Sequence, residues 1–157
     1  MEEKIFYITK EKLAELQKEH ADLTAEHAAL AGQETPRMFE SEELNSEFVS
    51  YQERVDGITN RLEELENILA HYSLIKKPPI DKQHVVDLGA CVHVDINGKK
   101  NEFVIMGTLE ANPIAGKISN ESPVGKALLG RKIGEEFELG HPDKKTYKIK
   151  NITYQLS

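Results

Sequence analysis

The strongest pattern in the chain is a heptad repeat of apolar residues in its first half. In the later part of this half the apolar positions are separated alternately by four and three residues, the spacing of a coiled-coil seam. These positions are Leu44, Phe48, Tyr51, Val55, Ile58, Leu62, Leu65, Leu69 and Tyr72. An earlier segment has the same spacing at Leu13, Leu16, His20, Leu23, His27 and Leu30.

Signals for helix ends bracket the earlier segment. Thr9 is suited to cap its first turn, and Gly32 and Pro36 end it. Two heptad helices separated by a short break bury their stripes against each other by folding back. The pattern therefore predicts an antiparallel coiled-coil hairpin over residues 1–77, a long thin projection that encloses no pocket.

Two histidines lie within the seam of the first helix. Antiparallel pairing places His20 near Leu62 and His27 near Val55. The histidines could be metal ligands, because both face one way along the helix. They are two turns apart with apolar partners opposite, so we interpret them as seam residues without an assigned function.

The turn between the helices, about residues 33–47, is acidic. Its carboxylates are Glu34, Glu40, Glu42, Glu43 and Glu47. They could simply favour the positive N-terminus of the second helix, which Ser41 would cap. Alternatively, carboxylates at the end of a rod could help to coordinate Mg²⁺ in a site whose other ligands belong to a partner.

After the Lys76-Lys77-Pro78-Pro79 linker the period changes from helical to alternating. Val92, Val94 and Ile96 alternate with polar residues, Asn97-Gly98 suits a type I′ turn, and Asn101 to Met106 is β-prone. This pattern predicts a β-hairpin.

The rest of the chain predicts a short helix between strands. Ser122-Pro123 begins a helix over Val124 to Leu129, and Gly130 ends it. Strands are predicted from Ile133 to Leu139 and from Thr146 to Leu156, with a bulge because Ile149 and Ile152 differ in parity. The fold class is therefore α+β, with a small β-sheet domain over residues 80–157.

The two halves of the chain differ in net charge, and this charge limits the classes of partner that the chain can bind. Residues 1–78 contain 9 Lys and Arg against 17 Asp and Glu, whereas residues 79–157 contain 11 against 10, and the net charge is −7. Such an acidic chain is unsuited to coating nucleic acid.

Cys91 is the only cysteine, which excludes an intrachain disulfide and favours a reducing compartment. With a polar start and no apolar run, we expect a cytoplasmic protein.

One long motif in the second half resembles a known family. Residues 117–134 read KISNESPVGKALLGRKIG, and the closing segment 147–154 reads YKIKNITY. The first segment resembles the carboxy-terminal signature of the Gre family of bacterial transcription factors, I-S-x-x-S-P-x-G-x-A-L-x-G-x-x-x-G. The resemblance covers nearly the whole chain.

The resemblance implies a fold and a function. It implies an FKBP-like second domain that docks on RNA polymerase, and a coiled coil that enters the secondary channel of the enzyme. The matching docking residues are Glu121, Ser122 and Pro123. We expect a monomeric accessory factor without enzymatic activity of its own. It would meet nascent RNA and DNA only through the elongation complex, would not associate with membranes, and would use only the Mg²⁺ of the polymerase, with no metal stably bound when free.

The tip departs from the family pattern D-L-x-E-N-A-E-Y. When Asn45, Glu47 and Phe48 are aligned with its second half, Ser41 stands at the aspartate position and Leu44 at the glutamate position. Neither usual acid is in register, although Glu40, Glu42 and Glu43 flank these positions. The factor could therefore stimulate transcript cleavage through Glu42 or Glu43, with Glu40 weaker, or it could occupy the channel without cleavage.

Two other classes of protein remain open. A prolyl isomerase with a coiled-coil arm would need an aromatic pocket, and the aromatic residues after the linker form no clear one. These residues are Phe103, Phe137, Tyr147 and Tyr154. A plain coiled-coil adaptor would need no site beyond the hairpin.

Overall fold

The computed structural model describes residues 4–32 and 46–155 and divides them into two compact units. One unit is Glu11–His71, and the other combines the described residues up to Lys10 with those from Tyr72 onward. This division differs from the predicted boundary between residues 77 and 80. None of the described helices combines the length and apolar character needed to cross a bilayer.

The helical unit is an antiparallel hairpin of α1 (Lys10–Ala31) and α2 (Ser46–Ala70). All the predicted seam positions of α1 are buried or half-buried, as are those of α2 from Phe48 to Leu69. The most buried positions are Leu16, Leu30, Ile58, Leu65 and Ile68. The predicted hairpin is therefore confirmed over the described residues.

The seam ends earlier than the sequence predicted. The heptad pattern extended to Tyr72, but α2 ends at Ala70 and Tyr72 begins the strand β2 (Tyr72–Leu74) with its side chain exposed. This strand pairs in parallel with β1 (Phe6–Ile8). Backbone pairing with a segment more than sixty residues away therefore overrides the helical period at this point.

Ion pairs join the two helices of the hairpin. Arg61 donates two hydrogen bonds to Glu19, from Nε at 2.6 Å and from Nη2 at 2.9 Å. Arg54 pairs with Glu26 about two turns further along. The two residue numbers of each pair add up to the same sum, as expected for antiparallel helices.

The second unit contains a five-stranded sheet with the order β5-β4-β3-β7-β6. Its strands are β3 (Ala90–Ile96), β4 (Lys99–Met106), β5 (Lys117–Ser119), β6 (Glu136–Leu139) and β7 (Lys145–Tyr154), and the short helix α3 (Pro123–Leu128) lies between β5 and β6. The predicted α+β class, with one short helix in the sheet domain, is confirmed.

The β3–β4 hairpin and the bulge are also confirmed. Asn97 and Gly98 have positive φ values of 49° and 85°, as a type I′ turn requires. The β3–β7 register shifts between His93 and Val94, so that Lys150 is the extra residue on β7. The bulge brings Ile149 and Ile152 to the same buried side of the sheet.

Candidate docking site around Glu121

The loop between β5 and α3 carries the predicted docking residues Glu121, Ser122 and Pro123. Glu121 and Pro123 are exposed, whereas Ser122 is half-buried. The Ser122 hydroxyl donates to the Ser119 carbonyl at 2.6 Å and accepts from the Gly125 amide at 3.1 Å. Ser122 is therefore the helix cap that the sequence predicted, and Pro123 occupies the first turn of α3.

The Glu121 side chain is held in place although half of it is exposed to solvent. The Thr108 hydroxyl donates to Glu121 Oε2 at 2.8 Å, and the Glu121 amide donates to Ser119 Oγ at 3.0 Å. Thr108 and Ser119 share a further hydrogen bond of 2.8 Å between their hydroxyls. This network fixes a carboxylate at the surface, where it can meet a cation of a partner.

Lys4 adds a positive charge next to this carboxylate. Its Nζ lies 3.7 Å from Glu121 Oε2 and 5.4 Å from the centre of the Phe6 ring. The lysine side chain is 56% exposed, so the ion pair is weak and can exchange for a partner's cation. A small cleft at this place is lined by Lys4, Ile5, Phe6, Tyr7, Thr108, Leu109, Asn120 and Glu121.

Two contacts anchor β1 beside the loop. A Cβ atom on Gly107 would lie 1.9 Å from the Tyr7 carbonyl oxygen, so only glycine allows this approach. The Glu110 carboxylate accepts from the Thr9 amide at 2.9 Å and from the Thr9 hydroxyl at 2.6 Å. The amino-terminal strand is therefore part of the same surface as Glu121.

Lys4 and Thr108 were not predicted as partners of Glu121. Lys4 is far away along the chain, and its proximity depends on the unpredicted pairing of β1 with β2. Thr108 follows β4, and β5 pairs in parallel with the end of β4. The predicted strand at residues 101–106 could have suggested Thr108, whereas no sequence pattern indicated Lys4.

The predicted tip residues Glu40, Ser41, Glu42, Glu43, Leu44 and Asn45 lie outside the described residues. Glu47 is described and is exposed in the first turn of α2. The roles of the tip acids therefore stay predictions.

The aromatic residues that follow the linker lie in the core of the second unit or pack against it. Phe137 stacks on Tyr147 with ring centres 5.0 Å apart, and both are buried. The Tyr154 hydroxyl donates to the Val85 carbonyl and accepts from the Asp87 amide, while burial raises the pKa of Tyr154. These contacts give the isomerase hypothesis no support.

Comparisons with known proteins agree with the sequence motif. The family model described as transcription elongation factor GreA/GreB, C-term, matches residues 81–154. Proteins named transcription elongation factor GreA match from Thermomicrobium roseum, at 42% identity over 55% of each chain, and from Clostridium kluyveri, at 40% over 69% of each. The one from Oenococcus oeni is 34% identical over 90% of each chain.

A solved structure also aligns along the chain. It is GreA factor homolog 1 (Gfh1) of Thermus thermophilus, 25% identical over 96% of this chain and 99% of its own, with a TM-score of 0.42. The matches to the C. kluyveri and O. oeni proteins each cover more than two thirds of both chains. The chain therefore belongs to the GreA/GreB family of transcription elongation factors.

Proposed function

We propose that this chain is an accessory factor that binds RNA polymerase through the surface around Glu121. Family membership supports this proposal, and the observation that carries it is the fixed, exposed carboxylate at the family's docking position. Thr108 and Ser119 hold the Glu121 loop before the partner arrives. Little ordering entropy then remains to be lost on binding.

We further propose that the helical hairpin enters the secondary channel and carries the acidic tip to the active site of the polymerase. The 25 residues of α2 make a helix about 37 Å long at ~1.5 Å per residue. A hairpin of this length could extend into a deep, narrow channel. Glu42 and Glu43, with Glu40 as a weaker third, would support a Mg²⁺ ion of the polymerase. The factor would thereby stimulate cleavage of a backtracked transcript.

A second candidate function is occupation of the channel without cleavage. The displaced acidic register favours it, because Ser41 and Leu44 stand where the family pattern has Asp and Glu. Each residue of offset turns a side chain by about 100° around a helix. Metal-assisted hydrolysis is sensitive to displacements of about 1 Å. Such a factor would compete with other channel-binding proteins.

Transcript cleavage in a stalled elongation complex tests the proposal. We expect the wild-type protein to accelerate cleavage, and the double variant Glu42→Gln, Glu43→Gln to lose this effect while it still competes for the channel. The matched control is the double variant Glu53→Gln, Glu63→Gln, which lacks two exposed carboxylates of α2. This variant should accelerate transcript cleavage as the wild type does.

The outcomes separate the two functions. A wild-type protein that binds polymerase but never accelerates cleavage supports channel occupation. In that case the variant Ser41→Asp, Leu44→Glu is expected to gain cleavage activity. Absence of any binding to polymerase contradicts both functions.

A further inference from the structure

Three different metal-ligand side chains meet on the side of the five-stranded sheet opposite Val92, with Cys91 buried, His93 half-buried and Glu102 exposed. Cys91 and His93 belong to β3 and Glu102 to β4. The Cys91 thiol donates to Glu102 Oε1 at 2.8 Å, and Cys91 Sγ lies 3.9 Å from His93 Nε2. The ligand atoms of all three residues lie within 4.8 Å of one another, a grouping found once among the described residues.

The strand register determines this grouping. Cys91 and His93 are two residues apart and therefore share a face of β3, while Val92 between them is fully buried on the core side. Glu102 lies directly opposite His93 in the antiparallel β3–β4 pair. Because β3 is the central strand, paired with both β4 and β7, the Cys91 and His93 backbones are held on two sides.

The distances and donor types suit a tetrahedral transition metal. Zinc bonds of about 2.3 Å to sulfur and 2.0–2.1 Å to nitrogen or oxygen separate neighbouring ligand atoms by roughly 3.5 Å. The 2.8 and 3.9 Å separations lie on either side of that value, so small side-chain rotations suffice. A thiolate with an imidazole favours zinc-like ions over Mg²⁺ or Ca²⁺, which prefer oxygen.

We propose that Cys91, His93 and Glu102 form a binding site for a Zn²⁺-class ion, with the fourth coordination position open. This inference is independent of the proposed function and departs from the expectation that the free protein holds no metal. Binding replaces the thiol proton, which the structure shows donated to Glu102, and releases it to solvent.

The site opens to solvent on the side of His93 and Glu102, whereas Cys91 is buried. An open groove beside it is lined by His93, Glu102, Asp95, Lys100 and Lys150, among others. The buried Asp95 Oδ1 makes no hydrogen bond to the described residues, and Asp95 Oδ2 lies 3.9 Å from Lys150 Nζ. Water or a ligand from solution would therefore reach the ion from the groove, on the side of His93 and Glu102.

Cobalt titration of the untagged, metal-free full-length protein tests this site. We expect Co²⁺ to produce a thiolate-to-cobalt charge-transfer band and the intense visible bands of tetrahedral coordination, and Zn²⁺ to remove both. The charge-transfer band reports only this site, because Cys91 is the only cysteine in the chain. Zn²⁺ should also raise the melting temperature.

Single ligand variants make the test specific. His93→Gln and Glu102→Gln should each weaken Co²⁺ binding roughly tenfold or more, because even indirect supports of metal ligands contribute that much. His84→Gln and Glu138→Gln change the same residue types at exposed positions elsewhere in the unit and should bind Co²⁺ as the wild type does.

Two results would overturn the proposal. One is saturation with Co²⁺ without a charge-transfer band. The other is wild-type affinity in both ligand variants, with circular dichroism showing that they are folded. Glu102 is exposed, so its variant should retain the fold even if substitution of the half-buried His93 perturbs it.

Discussion

At the scale of single residues, Gly125 decides whether the docking loop can form. A Cβ atom at this position would lie 2.1 Å from the Ser119 carbonyl oxygen and 2.9 Å from Ser122 Oγ. Gly125→Ala is therefore expected to lower the free energy of unfolding by about 1–3 kcal/mol, the usual cost of overpacking. Urea denaturation measures this change, and an unchanged midpoint would contradict the close approach.

Gly57 provides the opposite prediction on α2. No atom lies within 4 Å of a Cβ built there, and the residue is inside the helix. Gly57→Ala should therefore stabilise the protein by up to about 1 kcal/mol, since alanine favours helix and glycine does not. The same urea titration measures both variants, and destabilisation here would indicate a contact that the described residues do not contain.

The charge of Glu121 is the third prediction at this scale. Glu121→Lys should weaken polymerase binding at least severalfold, because the exposed carboxylate is replaced by a cation. Stability should change by less than about 0.5 kcal/mol, as for most surface substitutions. Fluorescence anisotropy with labelled factor measures the affinity. Glu138→Lys, the same change on exposed β6, is the control, and equal affinities in the two variants would remove Glu121 from the docking surface.

At the scale of elements, the hairpin depends on a narrow apolar seam flanked by ion pairs. Its fully buried positions are few, so polar contacts such as Arg61 with Glu19 and Arg54 with Glu26 contribute to the register. The hydrogen bond from Arg61 holds the pKa of Glu19 below its ordinary value, against the opposing effect of burial. This pair therefore makes the stability of the hairpin depend on pH.

The expected pH dependence has a definite sign. Because the folded-state pKa of Glu19 is lowered, its stabilisation is present above the unfolded-state pKa and disappears as the pH falls through the folded-state pKa. The side chains are 35% exposed, so Glu19→Gln should cost only about 0.5 kcal/mol at neutral pH and nothing in acid. Urea denaturation at several pH values tests this, with exposed Glu53→Gln as the control. A cost independent of pH would contradict the ion-pair origin.

At the scale of the whole molecule, the chain leaves one unit and returns to it. The second unit contains β1 as well as everything from β2 onward, and the helices α1 and α2 form an insertion between these two strands. Contacts of Tyr7 with Gly107 and of Thr9 with Glu110 tie the first residues to this unit. A fragment that starts at the linker would lose all of them.

Two shortened versions of the chain test this division. Replacement of Glu11–His71 by a short flexible linker should leave a folded unit that binds polymerase but has no effect inside its channel. A fragment that begins at Pro79 lacks β1 and β2 and should melt at a lower temperature. Thermal denaturation and the polymerase affinity assay compare them, and equal melting temperatures would contradict a stabilising role for the two strands.

Local patterns in the sequence determined most of the elements. The seam of α1 and α2, the Asn97-Gly98 turn, the Ser122 cap and the bulge before Ile152 were all predicted, because each depends on residues within about ten positions of one another. The two-residue turn even implies that His93 lies opposite Glu102, and alternation puts Cys91 beside them. This grouping could therefore have been inferred from the sequence.

Only the tertiary structure decided which distant segments meet. The β1–β2 pair, the approach of Lys4 to Glu121 and the end of α2 before Tyr72 depend on backbone contacts across sixty or more residues. No periodicity in the sequence indicates such contacts. The strands β1 and β2 are only three residues long, and their backbone hydrogen bonds can form whatever side chains the strands carry. The residues of the docking loop could thus be predicted from the sequence. The position of Lys4 beside them could not, because it depends on the pairing of β1 with β2.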